Sequence, residues 1–317
     1  MRFVLVGDGY AGVRVARAVA SLKGSELAAF ATTQPRAGGH SGLLNGDGIV
    51  VVATDWLVGE DGIAWTRTLH ADCLLCINST TVLPTALLDV FHGQALNCHP
   101  GLLPEYGGLH AHQWAIREGA REYGATVHRM EAAVDAGAIV AIARFPIRDS
   151  DTGLTLFRTT MGHAIALMTS VAARLAAEEV LDAAPQDQSA RRMYRRGDAR
   201  DGRIDWRLPA RAVVNFVRAG NYEPFRSPTY TATFATPFGR PVEILRCEVA
   251  GLAPGAPGMC VDLHPDGPLI ACGDGNAVRV TRARNESGLV DLAAWRRLLA
   301  GRQGKGVLPE RAFVRDA

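Results

Sequence analysis

The sequence predicts an α/β domain built on a doubly wound, Rossmann-like parallel sheet, followed by a smaller, mainly β domain of OB-like barrel type. Three observations predict it. In the first half, short apolar runs (FVLVG, LAAFAT, GIVVVAT, DCLLCIN, ALNCH) alternate with stretches of helical spacing such as YAGVRVARAVASL and LPTALLDVF, the pattern of strands wound with helices. In the second half, the runs YTATFAT, PVEILRCEVA, GMCVDL, PLIACGDG and AVRVTRA are short, alternating and punctuated by Gly and Pro, as in a small barrel. Length agrees: 317 residues exceed what one core usually holds, since single cores stop growing at roughly 250 to 300 residues.

The elements justify themselves in order. MRFVLVGDGYAG runs straight into a strand and a glycine-rich turn before a helix, with no long apolar helix ahead of it. LAAFATTQP is the next strand, and DCLLCIN and ALNCH read as fully apolar inner strands. AGAIVAIARF reads as another buried strand. Residues 155–184 carry apolar positions at spacings of three and four and predict one long amphipathic helix that closes a first domain at residue 184. The polar, basic stretch PQDQSARRMYRRGDARDGR, residues 185–203, reads as a surface linker, and a second domain, 204–317, opens on the helical PARAVVNFVRAG.

Composition excludes several classes. The 34 basic and 32 acidic residues nearly cancel, so no global field draws the chain to nucleic acid or a membrane, and no segment has the length of a membrane span. A cytoplasmic protein is expected. The six cysteines are too sparse for a disulfide scaffold. Cys73 and Cys76 spell CxxC, but inside an apolar strand-like run and with no second pair, so neither zinc nor redox use is expected. Among the histidines, His110 and His112 lie two apart with no carboxylate at ligand spacing, so no metal is expected there either.

Chemistry concentrates in LNCHPGLLPEYGG and GATVHRMEAAVDAGAIV. If ALNCH is a strand, its period of two points Asn97 and His99 to one face and sends Cys98 to the other, into packing. Asp135 follows just before AGAIV, at a strand mouth. An amide donor, an imidazole and a carboxylate suit acyl transfer without a covalent enzyme intermediate. Asn97 and a protonated His99 stabilise the oxyanion as an amine attacks a carbonyl, while Asp135 orients the imidazole and helps remove the amine's proton. No metal is required. His128, two beyond Thr126 on its strand, supports Asp135 from behind or simply packs.

These words resemble the formyltransferase family that uses 10-formyltetrahydrofolate. The resemblance rests on Asn97-Cys98-His99, on Leu102-Leu103-Pro104, on Gly124-Ala125-Thr126-Val127-His128 and on Asp135; DGRIDW and VRAGNYEPF extend it to the carboxy-terminal domain of methionyl-tRNA and nucleotide-sugar formyltransferases. It implies that residues 1–184 bind the donor and catalyse, that Asn97 and Asp135 stabilise the transition state, and that His99 is the general acid. It places donor contacts at Thr81, Val82 and Leu83, at Leu109, and at Glu131, Ala132, Ala133, Val134 and Asp135. Two positions depart from the family pattern. Gly101 stands where many members carry Ser, and Leu109 where some carry Arg.

Acceptor contacts are expected at Gly9 and Tyr10, where a helix amino terminus could hold a phosphate or carboxylate, and at Arg218, Asn221 and Tyr222, which offer a cation and hydrogen-bonding groups; the resemblance of GLHAH to the corresponding segment of glycinamide ribonucleotide formyltransferases implies another at His110. Packing within the second domain is the competing role for Arg218, Asn221 and Tyr222. The leading acceptor is the amine of a nucleotide-linked sugar. An amino acid or hydroxyornithine, glycinamide ribonucleotide and methionyl-tRNA are the alternatives, transfer RNA being disfavoured by the near-neutral charge and the short loop at 37–48. A homodimer stays open. Two other classes compete. Gly7, Gly9 and Gly12 have dinucleotide-binding spacing, but Thr32 and Thr33 stand where a ribose-binding carboxylate belongs. A folate-binding protein without activity would not need the trio intact.

Overall fold

In a computed structural model of the chain, the structure describes residues 1–35, 49–195, 197–198, 202–227, 232–237 and 240–299, so the loop at 37–48 and parts of segments 185–203 and 204–317 lie outside the described residues. Two compact units are present. The first comprises Met1–Ala111, Glu122–Pro146 and Phe157–Tyr194; the second comprises His112–Arg121, Ile147–Leu156 and the chain from Arg195 on. These boundaries differ from 184 and 204 for physical reasons. Met193–Tyr194 is held by strand pairing inside the first unit. The stretches 112–121 and 147–156 hydrogen-bond into the second: Gln113 donates to the Ala219 carbonyl, and Arg218 donates to the carbonyls of Arg148 and Asp151.

The first unit is a seven-stranded sheet. Its strands are β1 (Arg2–Gly7), β2 (Glu26–Thr32), β3 (Val51–Ala53), β4 (Cys73–Ile77), β5 (Ala95–His99), β7 (Glu122–Arg129) and β8 (Ile139–Pro146), in the order β3-β2-β1-β4-β5-β7-β8, with β6 (Gly107–Gly108) standing apart. The first five run parallel, and the apolar runs of β1, β2, β4 and β5 are buried on both faces, while the edge strand β3 is partly buried.

Helices cover both sides. On one, α1 (Gly9–Ser21) and α6 (Gly153–Ala176) pack Val15, Val19, Ala164 and Met168 onto Phe3, Leu5, Leu96 and Cys98. On the other, α2 (Thr54–Leu57), α3 (Glu60–Thr68) and α4 (Thr85–Leu88) pack Leu57, Ile63 and Leu87 onto Val4, Val6 and Leu74. The remaining helix of this half is α5 (Ala111–Glu118). Cys73 and Cys76 fall in these two different clusters, which disposes of a CxxC site, and burial pushes both thiols up to about 12.

Two expectations need correction. The sheet is not wholly parallel, because β7 runs antiparallel to β5 and pairs with β8 as a hairpin. The connection of residues 130–138 is too short for the crossover that a parallel pair needs. β8 is therefore an edge strand rather than a buried one, with Phe145 its one fully buried side chain. The long helix, expected over 155–184, ends at Ala176: Glu178 turns left-handed, at φ 59°, and Ala184 instead bridges to Ile139 in extended conformation.

After β9 (Met193–Tyr194) the second unit brings α7 (Ala210–Gly220), β10 (Phe234–Ala235), β11 (Val242–Leu252), β12 (Cys260–His264), β13 (Gly267–Ala271), β14 (Asn276–Asn285), β15 (Gly288–Leu289) and α8 (Leu292–Leu299). The strands form one antiparallel sheet in the order β10-β11-β14-β13-β12, with β15 beside β14. Its core gathers Val213, Phe216 and Val217 of α7 with Val242, Ile244, Val278 and Val280, closed by Trp295 of α8.

Candidate active site

β5 does what its alternation requires. Leu96 and Cys98 join the α1/α6 core, while Asn97 and His99 point the other way. Cys98 contacts the Ala164 carbonyl, and burial raises its thiol far above the ordinary range, so it is no nucleophile. The antiparallel register sets Asn97 beside His128 and His99 beside Thr126. His128 thus stands in the site: its Nε2 lies 3.1 Å from Asn97 Nδ2 and 3.5 Å from Asp135 Oδ1, and its Nδ1–H donates to the Arg129 carbonyl at 2.8 Å.

Asp135 lies in the β7–β8 connection with φ 55°, a conformation that non-glycine residues rarely adopt without support. Its Oδ2 accepts the Gly108 N–H at 2.9 Å and faces His99 Nδ1 at 3.4 Å. Burial pushes this carboxyl up, but the charge of His99, the hydrogen bond with His128 and the Gly108 N–H together outweigh it, holding the group well below the usual carboxylate range. It is a carboxylate at neutral pH. His99 is held from both sides, since its Nε2 is 2.6 Å from the Tyr106 carbonyl. A neutral ring carries one proton for two acceptors, whereas the protonated ring serves both.

The loop following β5 is locked by β7. Thr126 Oγ1 donates to the Gly101 carbonyl at 2.7 Å and accepts the Leu103 N–H, and the Tyr123 hydroxyl donates to the Pro100 carbonyl. Gly101 permits this closure: a Cβ there would sit 2.5 Å from the Tyr106 carbonyl and 2.7 Å from His99 Nε2. The Gly101→Ser variant is therefore expected to lose roughly 1–3 kcal/mol of stability by overpacking and to loosen the Tyr106–His99 contact. Urea unfolding checks the first effect, and turnover the second.

A family model described as Formyl transferase matches residues 57–171, and one described as Formyl transferase, C-terminal domain, matches residues 198–293. A methionyl-tRNA formyltransferase of Burkholderia ambifaria is 31% identical over 229 residues, covering 72% of this chain and 68% of its own length. The chain belongs to the formyl transferase family. Among solved structures, a formyltransferase from Helicobacter canadensis, in complex with folinic acid and dTDP-3-aminofucose, superposes with a TM-score of 0.67 at 15% identity, over 88% of this chain and 98% of its own. WlaRD, a sugar 3N-formyl transferase in the presence of dTDP and 5-N-formyl-THF, gives 0.66 at 14% identity, over 89% and 97%.

In this formyl transferase chain the other expected positions distribute unevenly. Val82 is 70% exposed and Val134 47% exposed, with Glu131, Ala132 and Ala133 also exposed, whereas Leu83 is buried in the α2–α4 cluster. The Thr81 N–H bonds Ser79, and the Leu109 N–H bonds the Tyr194 carbonyl. Gly9 is left-handed at the start of α1, and Tyr10 beside it is exposed and bonded to Arg14. The glycine triplet serves packing, since a Cβ on Gly12 would sit 2.6 Å from the Gly7 carbonyl carbon. Thr32 and Thr33 both bond the Asp8 carboxylate at 2.8 Å.

His110 takes a left-handed conformation just before α5. Within the second unit Tyr222 meets His112, Arg218 spends its guanidinium on Asn215 and the backbone of 148–151, and Asn221 is buried, bonded to Leu245 and Glu223. Internal bonding of this kind favours packing over acceptor contact for Arg218 and Asn221. A cavity of about 510 Å³, lined by Asp72, His92, Arg129 and Glu178 among others, lies at the opposite, amino ends of the strands and touches none of the trio. No group of three or more metal-ligating side chains occurs among the described residues, and no helix there is long and apolar enough to cross a membrane. Sequence reasoning missed Tyr106 and Gly108, which act through their own backbone groups, and Gln186 and Arg191, whose side chains bond backbone carbonyls; no residue motif announces either kind of contact.

Proposed function

We propose that the chain moves the formyl group of 10-formyltetrahydrofolate to the amine of methionyl-tRNA. The convergence of Asn97, His99 and Asp135 supports the reaction. The amine nitrogen adds to the formyl carbon, and the carbonyl oxygen takes up negative charge facing the Asn97 amide and the protonated His99. Collapse breaks the bond from carbon to N10 of the folate, which leaves with the proton given up by His99, and the proton lost by the amine returns to the imidazole, whose charge Asp135 holds in place. For the donor, the exposed apolar Val82 and Val134 suit the walls of a slot for a flat heterocycle.

The acceptor rests on one observation: relatives 31% to 33% identical, over two thirds of this chain, are methionyl-tRNA formyltransferases. The nucleotide-linked amino sugar expected from sequence has behind it structural likeness at 14–15% identity, which speaks to fold alone. A net charge of +2 does not weigh against transfer RNA, because phosphate contacts depend on local cations, and Arg226, Arg240, Arg246, Arg296 and Arg297 of the second unit are exposed. Assays with 10-formyltetrahydrofolate and either methionyl-tRNA or a dTDP-linked amino sugar decide between acceptors by product mass. With methionyl-tRNA, kcat/KM is expected to fall severalfold between 50 and 200 mM salt, conditions set by the slope of phosphate binding at roughly one ion per contact. Formylation of the sugar but not the tRNA would overturn the acceptor assignment.

A further inference from the structure

We propose that residues 186–194, which read as linker in the sequence, form a strap that positions the His99–Asp135 pair, with Gln186 the positioning residue for Asp135. The buried Gln186 side chain donates from Nε2 to the Asp135 carbonyl at 3.0 Å and to the Gly137 carbonyl at 2.7 Å, clamping the turn on either side of the left-handed Asp135. Five residues on, Arg191 Nη2 donates to the Val134 carbonyl at 2.9 Å, the residue just before Asp135.

The other end of the strap holds the opposite wall of the site. Arg192 N–H bonds the Pro104 carbonyl, Gly107 N–H bonds the Arg192 carbonyl, and Leu109 N–H bonds the Tyr194 carbonyl, so that β9 lies parallel to β6. The Tyr106 and Tyr194 rings stack at 6.2 Å. The backbone groups fixed in this way are the ones that touch the pair: the Tyr106 carbonyl on His99 Nε2 and the Gly108 N–H on Asp135 Oδ2. One segment therefore grips both catalytic loops, and it is the same segment that continues into the second unit at Arg195.

The kinetic arm of the test rests on the formyl-transfer reading; the spectroscopic arm does not. In the full-length chain, Gln186→Met keeps the side chain's bulk and removes both donors, while Gln186→Glu turns oxygens toward two carbonyls. In Gln186→Met, kcat is expected to fall about tenfold with KM for donor and acceptor changing less than about threefold, and Gln186→Glu is expected to fall further. Exchange of the Gly108 amide proton, followed by NMR, should quicken about tenfold in both. Should Gln186→Met fail to fold, Arg191→Met, which removes the bond to Val134, is expected to quicken the same amide's exchange by a smaller factor. Wild-type Gly108 protection in the folded variants would overturn the strap. Absence of formyl transfer by the wild-type chain to any amine would overturn the proposed function, while the amide measurement would still decide the role of Gln186.

Discussion

His99→Ala is expected to lower kcat by about a hundredfold or more, the usual order for loss of a group that acts in the transition state, with KM for the folate donor little changed. The imidazole is buried between the Tyr106 carbonyl and Asp135, so its orientation is fixed before any substrate arrives. The variant also strands the Tyr106 carbonyl, at a cost of roughly 1–3 kcal/mol in stability, which urea unfolding separates from the catalytic loss. Asn97→Ala should follow the same pattern through a different route, because removing the amide takes away one donor to the oxyanion and frees His128 Nε2 from its nearest neighbour. Single-turnover measurement of formyl transfer isolates the chemical step. Full turnover by folded His99→Ala protein would remove His99 from the mechanism.

How far the site could be read in advance depended on the kind of group doing the work. A period of two decided that Asn97 and His99 share a face while Cys98 packs into the core, and the structure has that arrangement. Thr32 and Thr33, which stand at the end of β2 where the sequence lacks a carboxylate, both bond Asp8 at the end of the adjoining strand, a contact that the glycine spacing does not announce. Asp135 was visible only through the motif around it, because nothing local predicts a left-handed aspartate.

What escaped was whatever acts through the backbone. PQDQSARRMYRRGDARDGR has a surface linker's composition, yet Gln186 and the peptide groups of 192–194 reach loops separated from them by dozens of residues of chain. Strand direction escaped for a related reason. β8 has an apolar run like those of the inner strands, and only the brevity of the connection 130–138 could have signalled a hairpin. The compact units differ from the boundaries expected in sequence where hydrogen bonds such as those of Gln113 and Arg218 join segments distant in the chain.

Asp135→Asn is the most informative single substitution, because it alters charge while keeping shape. Turnover is expected to fall about a hundredfold or more, since the amide carries no charge to hold the protonated His99. The stability effect has a definite dependence on pH. The folded carboxyl sits well below its ordinary value through the charge of His99, the bond with His128 and the Gly108 N–H, against the opposing effect of burial. A group depressed in the folded state contributes stability that is fully present above its unfolded pKa, about 3.9, and is lost as pH falls below that toward the folded value. The wild-type protein should therefore be more stable than Asp135→Asn by roughly 1.5–3 kcal/mol at pH 7, the range for a charge-assisted hydrogen bond, and the difference should shrink once pH drops below about 4. Urea unfolding of both proteins at pH 7, 5 and 3.5 measures it. A stability difference that is constant over that range would mean that the carboxylate is not held by its neighbours in the way the geometry requires, and the loss of turnover would then need a cause other than charge.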